Sequence, residues 1–225
     1  MRDAYARHST RWQEDQYRSW TAGNLFMLQE RERVVLDMLR RRRFFPLADK
    51  RILDAGCAAG KSLMAFLRYG AQPKNLFGVD LLEAEIEKAR ELAPHLTFQV
   101  ADARRLPFED GAFDLVIAFT LFSSIRDQAV RREVAQELLR LLSPSGVLIA
   151  YDFRIRSHVN RDTEPVRLND LSGLFRGCRI DVRRLTLAPP VARAVAPRSW
   201  VACEILARVP FLRTHWLAIV SRGSA

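Results

Sequence analysis

Three cysteines in 225 residues, Cys57, Cys178 and Cys203, are too few and too irregularly spaced to frame a disulfide scaffold or a thiolate metal cage. Their odd number fits a reducing, cytoplasmic setting. No apolar run approaches the roughly 18 residues that a membrane span needs, and the N-terminal stretch is charged and polar where a secretory leader would be apolar. Neither a spanning nor a secreted protein is expected. Acidic residues are outnumbered, 26 against 36 Lys and Arg, which gives a formal charge of +10. That excess is scattered over the chain, and only Arg40-Arg-Arg-Arg43 forms a run, at the end of an expected helix where each cation offsets the helix dipole by about 0.3–1 kcal/mol. A nucleic-acid partner is therefore not expected. The Gly-x-Gly-x-x-Gly spacing of nicotinamide-dinucleotide sites is also missing.

What is there centres on Arg51-Ile-Leu-Asp-Ala-Gly-Cys-Ala-Ala-Gly60-Lys-Ser-Leu, which compresses a strand, a small-residue turn and a helix start. Ile52 and Leu53 give the apolar run of a covered parallel strand ending in Asp54. Gly56, Cys57, Ala58, Ala59 and Gly60 let the backbone turn tightly and pass close to a ligand. The helix opening at Ser62 aims its first amides at that ligand. This is the pattern of a nucleoside-cofactor site. Asn75-Leu-Phe-Gly-Val-Asp80 repeats the run-then-acid pattern 26 residues after Asp54, a distance suited to an acid that reaches ribose hydroxyls. Leu96 to Asp102, Phe113 to Phe119 and Gly146 to Asp152 supply three more runs. Helices are expected from Ser62 to Gly70, Glu83 to Ala93 and Arg126 to Leu142 between them.

As a set, Leu-Asp-Ala-Gly-Cys-Ala-Ala-Gly, Gly-Val-Asp80, Ala-Asp102-Ala, Leu-Pro-Phe-Glu-Asp-Gly-Ala-Phe-Asp114 and Leu-Ser-Pro-Ser-Gly-Val-Leu resemble the class I S-adenosylmethionine-dependent methyltransferases, from about Arg51 to Asp152. One departure is Ala58, which stands where the family has its middle glycine. The resemblance implies an α/β fold with a doubly wound, mostly parallel seven-stranded Rossmann-like sheet and S-adenosylmethionine as cofactor, with no metal. It further implies that Asp80 accepts from both ribose hydroxyls, and that Asp102 accepts from the adenine amino group while the Ala103 amide faces a ring nitrogen. Asp54 would orient the turn and help the methionine ammonium. Gly56 and Gly60 would leave room for the methionine part, with Cys57, Ser62, Leu81 and Phe119 completing the lining.

Residues 1–45, with Tyr5, Trp12, Tyr17 and Trp20 in a polar stretch, are expected to form an N-terminal helical lid or cap, including a helix capped by Asn24 that runs to about Arg43. Residues 46–225 form the cofactor-binding domain, so the chain is effectively one domain. Strands Cys178 to Leu187 and Thr214 to Ser221 complete the sheet. Residues 188–212 form an acceptor-side insertion whose apolar helix, Trp200 to Val209, is expected to roof the acceptor pocket.

Phe119-Thr-Leu-Phe-Ser-Ser124 would face the methyl group in this fold, and it lacks the Asn/Asp-Pro-Pro-Tyr motif of enzymes that methylate nucleic-acid amino groups. No cysteine stands where a C5-pyrimidine enzyme needs its nucleophile. Together with Tyr-Asp-Phe, Thr-Leu-Ala-Pro-Pro and Leu-Arg-Thr-His-Trp-Leu-Ala-Ile, the segment is similar to small bacterial methyltransferases of surface-glycan and specialised metabolism. That likeness implies a small-molecule or glycan acceptor, methylated at a hydroxyl oxygen. A hydroxyl has a high pKa and gains from a general base, for which Asp152, His158 and His215 are the candidates. The assembly expected, if any, is a homodimer. The rival readings are an RNA or protein methyltransferase using the basic surface, and a non-catalytic cofactor-binding regulatory subunit.

Overall fold

The structure, a computed structural model, describes residues 20–156 and 163–223. Tyr5, Trp12, Tyr17 and His158 lie outside the described residues. The sequence runs through α1 (Ala22–Arg41), β1 (Ile52–Ala55), α2 (Lys61–Arg68), β2 (Leu76–Asp80), α3 (Glu83–Leu92), β3 (Thr97–Val100), β4 (Phe113–Phe119) and α4 (Leu121–Ser124). It continues with α5 (Gln128–Leu141), β5 (Leu142–Phe153), α6 (Leu168–Leu174), β6 (Cys178–Leu187), α7 (Pro189–Val195), α8 (Trp200–Leu206) and β7 (Arg213–Arg222). The seven strands form one sheet in the order β3-β2-β1-β4-β5-β7-β6, the seven-stranded arrangement expected from the sequence.

Strands β1 to β5 pair in parallel, as strands joined by crossover helices must. All four residues of β1 are buried, which is why that strand reads as a continuous apolar run with no alternation. The register of β4 on β5 shifts between Phe113, opposite Leu142, and Leu115, opposite Val147. Ser143-Pro-Ser-Gly146 is therefore taken up within β5 and does not precede it. At the opposite end from the strand tips, Phe77, Phe108 and Phe113 meet edge to face with centroids 5.0–6.1 Å apart. The Arg51 guanidinium lies 5.2 and 5.3 Å from the Phe77 and Phe113 centroids. Arg140 donates to the carbonyls of Leu106 and Phe108 and to Asp110, fixing the long β3–β4 connection against α5.

The chain divides into two compact units, Met1–Arg43 with Arg183–Leu217, and Phe44–Val182 with Ala218–Ala225. The second holds the parallel strands. In the first, Phe26 of α1 packs with Leu187, Ala192, Ala196, Cys203 and Ala207, and its ring meets Trp200 edge to face at 5.3 Å. Helix α1 and helix α7 come so close that a Cβ on Gly23 would lie 2.6 Å from the Arg193 Cα, a contact only glycine allows. The expected Asn24 cap is corrected: α1 starts earlier, at Ala22, and the Asn24 amide oxygen instead accepts from Arg193 Nε at 3.2 Å. The Pro189-Pro190 pair opens α7, because proline at the first helical positions gives up no helical hydrogen bond. Glu30 is buried, and its carboxylate accepts from the Thr186 and Leu187 amides at 3.1 and 3.3 Å. Burial pushes that carboxyl above its ordinary value. The run Arg40 to Arg43 is a solvated helix end, with Arg40 and Arg41 both beside Asp37. No described helix is long and apolar enough to cross a membrane.

Candidate functional site

The C-terminal tips of β1, β2, β3 and β4 gather the cofactor candidates on one edge of the parallel sheet, where open α/β sheets receive ligands. The turn after β1 is fastened to β2: the amides of Gly56 and Cys57 both donate to the Val79 carbonyl, at 2.8 and 3.0 Å. The Ala58 amide then donates to Asp80 Oδ2 at 2.9 Å, and the Gly60 amide closes the turn on the Cys57 carbonyl. Gly56 and Gly60 both sit at φ 74°, and a Cβ on Gly60 would lie 2.6 Å from the Phe98 ring. A Cβ on Gly56 would come within 3.1 Å of Leu121 Cδ1, filling the space between the turn and α4. Helix α2 starts directly after Gly60 with no side chain capping it, so its first amides keep their capacity for an anionic group.

Ala58 also takes the left-handed conformation, at φ 45°. An L side chain there costs about 1–2 kcal/mol, of which glycine gives back about 0.5–1 kcal/mol in lost chain freedom. Ala58→Gly is thus expected to raise the unfolding free energy in urea by up to about 1 kcal/mol while leaving cofactor affinity in place. A loss of stability would mean that the turn does not hold this backbone.

Asp80 ends β2 with both oxygens fixed, Oδ2 by Ala58 and Oδ1 by the Leu82 amide at 2.9 Å. Burial pushes its carboxyl up, and the amides of Leu82 and Ala58 pull the other way. Leu81 follows it, half-buried. Asp54 lies inside β1 next to Ala55 and is buried. Asp102, two residues past β3, is held by Arg104: the guanidinium grips both oxygens at 2.7–3.1 Å and the Arg104 amide adds a bond at 3.0 Å. The Arg104 bonds hold the Asp102 carboxyl below its ordinary value. Ala103, between them, is half-buried, as is Ser62 in the first turn of α2. Arg104 was not among the expected site residues, although its place two positions after Asp102 is a signal the sequence offers.

Beyond β4, Phe119 meets Tyr151 edge to face at 5.9 Å, and the next residue, Thr120, is β-branched yet sits at φ 55°. Such strain costs on the order of 1–3 kcal/mol and persists only where neighbours impose it. Here the Thr120 amide donates to the Tyr151 carbonyl at 2.6 Å, and the Ser124 hydroxyl donates to the Thr120 carbonyl at 2.8 Å. Asp152, fully buried, receives the Phe122 amide on Oδ2 at 3.1 Å and the Ser123 amide on Oδ1 at 3.0 Å. Burial raises its carboxyl to about 7, against the bonds from Ser123 and Phe122 and the charge of Arg131. Arg131, also fully buried, donates from Nε to the Ile125 carbonyl and from Nη2 to the Glu164 carbonyl. The loop from Thr120 to Ile125 is thereby anchored by an acid and a guanidinium. Neither Thr120 nor Arg131 was foreseen from the sequence.

His215 lies in the other compact unit, buried, with Nδ1 2.9 Å from the Thr214 hydroxyl oxygen. Burial and the charge of Arg31 lower its pKa to about 3, so it stays neutral across the physiological range. The Cys57 thiol is pushed far up by burial and then by the charges of Asp54 and Asp80, which makes it a lining group and no nucleophile.

A family profile described as Methyltransferase domain matches residues 52–146. The chain is 34% identical to a 2-methyl-6-phytyl-1,4-hydroquinone methyltransferase of Synechocystis, over 52% of this chain and 35% of that protein. It is also 34% identical to a chloroplastic tocopherol O-methyltransferase of Arabidopsis thaliana, over 44% of this chain and 29% of that one. The chain thus spans about a third of the length of these curated relatives. A solved S-adenosylmethionine-dependent methyltransferase from Archaeoglobus fulgidus shares the fold, with a TM-score of 0.62 and 18% identity over 88% of this chain and 98% of that one. Residues 52–146 thus carry a methyltransferase domain, and the seven-stranded sheet around it has the fold of the class I S-adenosylmethionine-dependent methyltransferases.

Proposed function

We propose that the chain transfers a methyl group from S-adenosylmethionine to a hydroxyl oxygen of a small-molecule or glycan-type acceptor. The observation that carries this is the turn Gly56–Gly60 clasped to Asp80, with Asp80 held at the tip of β2. Its donors and acceptors fit the cofactor that the family and fold imply: first-turn amides of α2 suit a carboxylate, Asp80 suits ribose hydroxyls, and the bare edge at Gly56 leaves width for the methionine chain. S-adenosylmethionine supplies a methyl group already activated by its sulfonium, so the protein's share is positioning. Holding donor and acceptor in line at about 3–3.5 Å is worth roughly 7–11 kcal/mol without any nucleophile. The anchored Thr120–Ile125 loop is the wall we assign to the acceptor side, and Phe119, at the end of β4 just before it, the residue we assign to the cofactor.

Among the three base candidates, Asp152 and His215 are enclosed by protein and engaged. Asp152 acts here as a positioning residue, and the hydroxyl proton passes to solvent or to His158. O-methyltransferases stand among the relatives beside N-methyltransferases, and the absence of an Asn/Asp-Pro-Pro-Tyr motif in Phe119 to Ser124 speaks against nucleic-acid amino groups. Calorimetric titration with S-adenosylmethionine and with S-adenosylhomocysteine tests the reading. Micromolar binding of both, a free energy near −8 kcal/mol or about that, is expected. No binding of either by folded protein would overturn it. Transfer of a labelled methyl group to hydroxylated and to amino acceptors then decides the atom.

A further inference from the structure

Helix α8 has two apolar faces where a surface helix needs one. Trp200, Cys203, Leu206 and Ala207 turn inward and pack with Phe26 and α7. On the other side, Val201 and Ile205, one turn apart, are 70% and 60% exposed, and Phe211 in the short 3-10 turn Pro210–Leu212 is 76% exposed. Single exposed apolar residues are ordinary on a protein surface, whereas three large ones within one helix and the turn after it mark a contact face.

The charges near them in the sequence say what kind of face it is. The stretch Arg183 to Leu217 holds six arginines, Arg183, Arg184, Arg193, Arg198, Arg208 and Arg213, against one acid, Glu204. Glu204 is already taken by Arg33 at 2.7 Å. Arg198, just before α8, and Arg208, between Ile205 and Phe211, are both exposed. Hydrocarbon set between guanidinium groups fits a partner with an anionic boundary and an apolar interior. We propose that this face docks on an anionic lipid bilayer, with Val201, Ile205 and Phe211 entering the headgroup boundary and Arg198 and Arg208 meeting lipid phosphates. A second copy of the chain would bring the same cations face to face. A nucleic acid would offer anions but no hydrocarbon for valine and isoleucine.

The test is flotation of the full chain with vesicles of phosphatidylcholine alone and of phosphatidylcholine mixed with phosphatidylglycerol. Recovery with the mixed vesicles, suppressed by high salt and absent with phosphatidylcholine alone, is expected. The double variant Ile205→Ser, Phe211→Ser should lower partition by at least about tenfold. Because both side chains are exposed, its thermal unfolding and its affinity for S-adenosylmethionine should match the parent. No recovery with mixed vesicles, or undiminished recovery of the double variant, would overturn the proposal. So would a dimer in light scattering that the double variant turns into a monomer, since a second copy would then cover the face.

Discussion

Replacing Asp80 with alanine is expected to weaken S-adenosylmethionine binding by about 2–3 kcal/mol, or roughly 30- to 150-fold. Two losses add. The first is the pair of charge-assisted bonds that the proposed site gives the ribose hydroxyls, for which the Asp80 oxygens keep lone pairs after accepting one amide each. The second is the clasp itself: without Oδ2 the Ala58 amide loses its acceptor, and the turn over the methionine chain is no longer tied to β2. Asp80→Asn separates the two, because it keeps one acceptor and the side-chain shape while removing the charge. Calorimetry on both variants reads the difference, and a change under about twofold for alanine would take Asp80 out of the site.

Asp152→Ala is expected to lower the unfolding free energy by about 2–4 kcal/mol, since it strands the buried amides of Phe122 and Ser123, each worth about 1–3 kcal/mol when left unmatched. The pH profile carries more information. The folded carboxyl titrates at about 7 and the unfolded one at 3.8, so folding favours the protonated form. The contribution of Asp152 is fully present below pH 3.8 and is lost as pH rises towards 7, by at most about 4 kcal/mol. Urea unfolding of wild type and Asp152→Asn across that window should therefore show wild type losing ground to the variant as pH rises. Parallel profiles would mean that Asp152 is held ionised by its amides and by Arg131 throughout. A methyl-transfer rate that falls in Asp152→Asn with KM for the cofactor unchanged, and without a shift in its pH optimum, would mark positioning and not base catalysis.

Much of this architecture could be read from residue order, because its signals are local. Five apolar runs recur, four of them closed by an acid, and each run became a parallel strand within a few residues of its expected ends. Asp54 was expected at the tip of β1, and in the structure Ala55 follows it within the strand. What could not be read depends on residues far apart in sequence. Asn24 looks like a helix cap until Arg193, 169 residues away, is seen to occupy its oxygen. Asp152 looks like a base at a strand tip until Phe122 and Ser123 are found donating to it. Left-handed backbone at Thr120 and Thr186 runs against everything a β-branched residue suggests, and only tertiary bonds impose it. The Asp102–Arg104 pair is the exception, a short-range contact that spacing alone could have suggested.

The strand order has a bearing on how the molecule is made. Strand β7 lies between β5 and β6, although β6 precedes it in the sequence. A nascent chain can assemble β1 through β5 as they emerge, but β6 then finds its place beside β5 reserved for a strand not yet translated. It must wait unpaired, with an open edge, until β7 arrives and slots in. Any stall between Leu187 and Arg213 would leave that edge exposed to other chains.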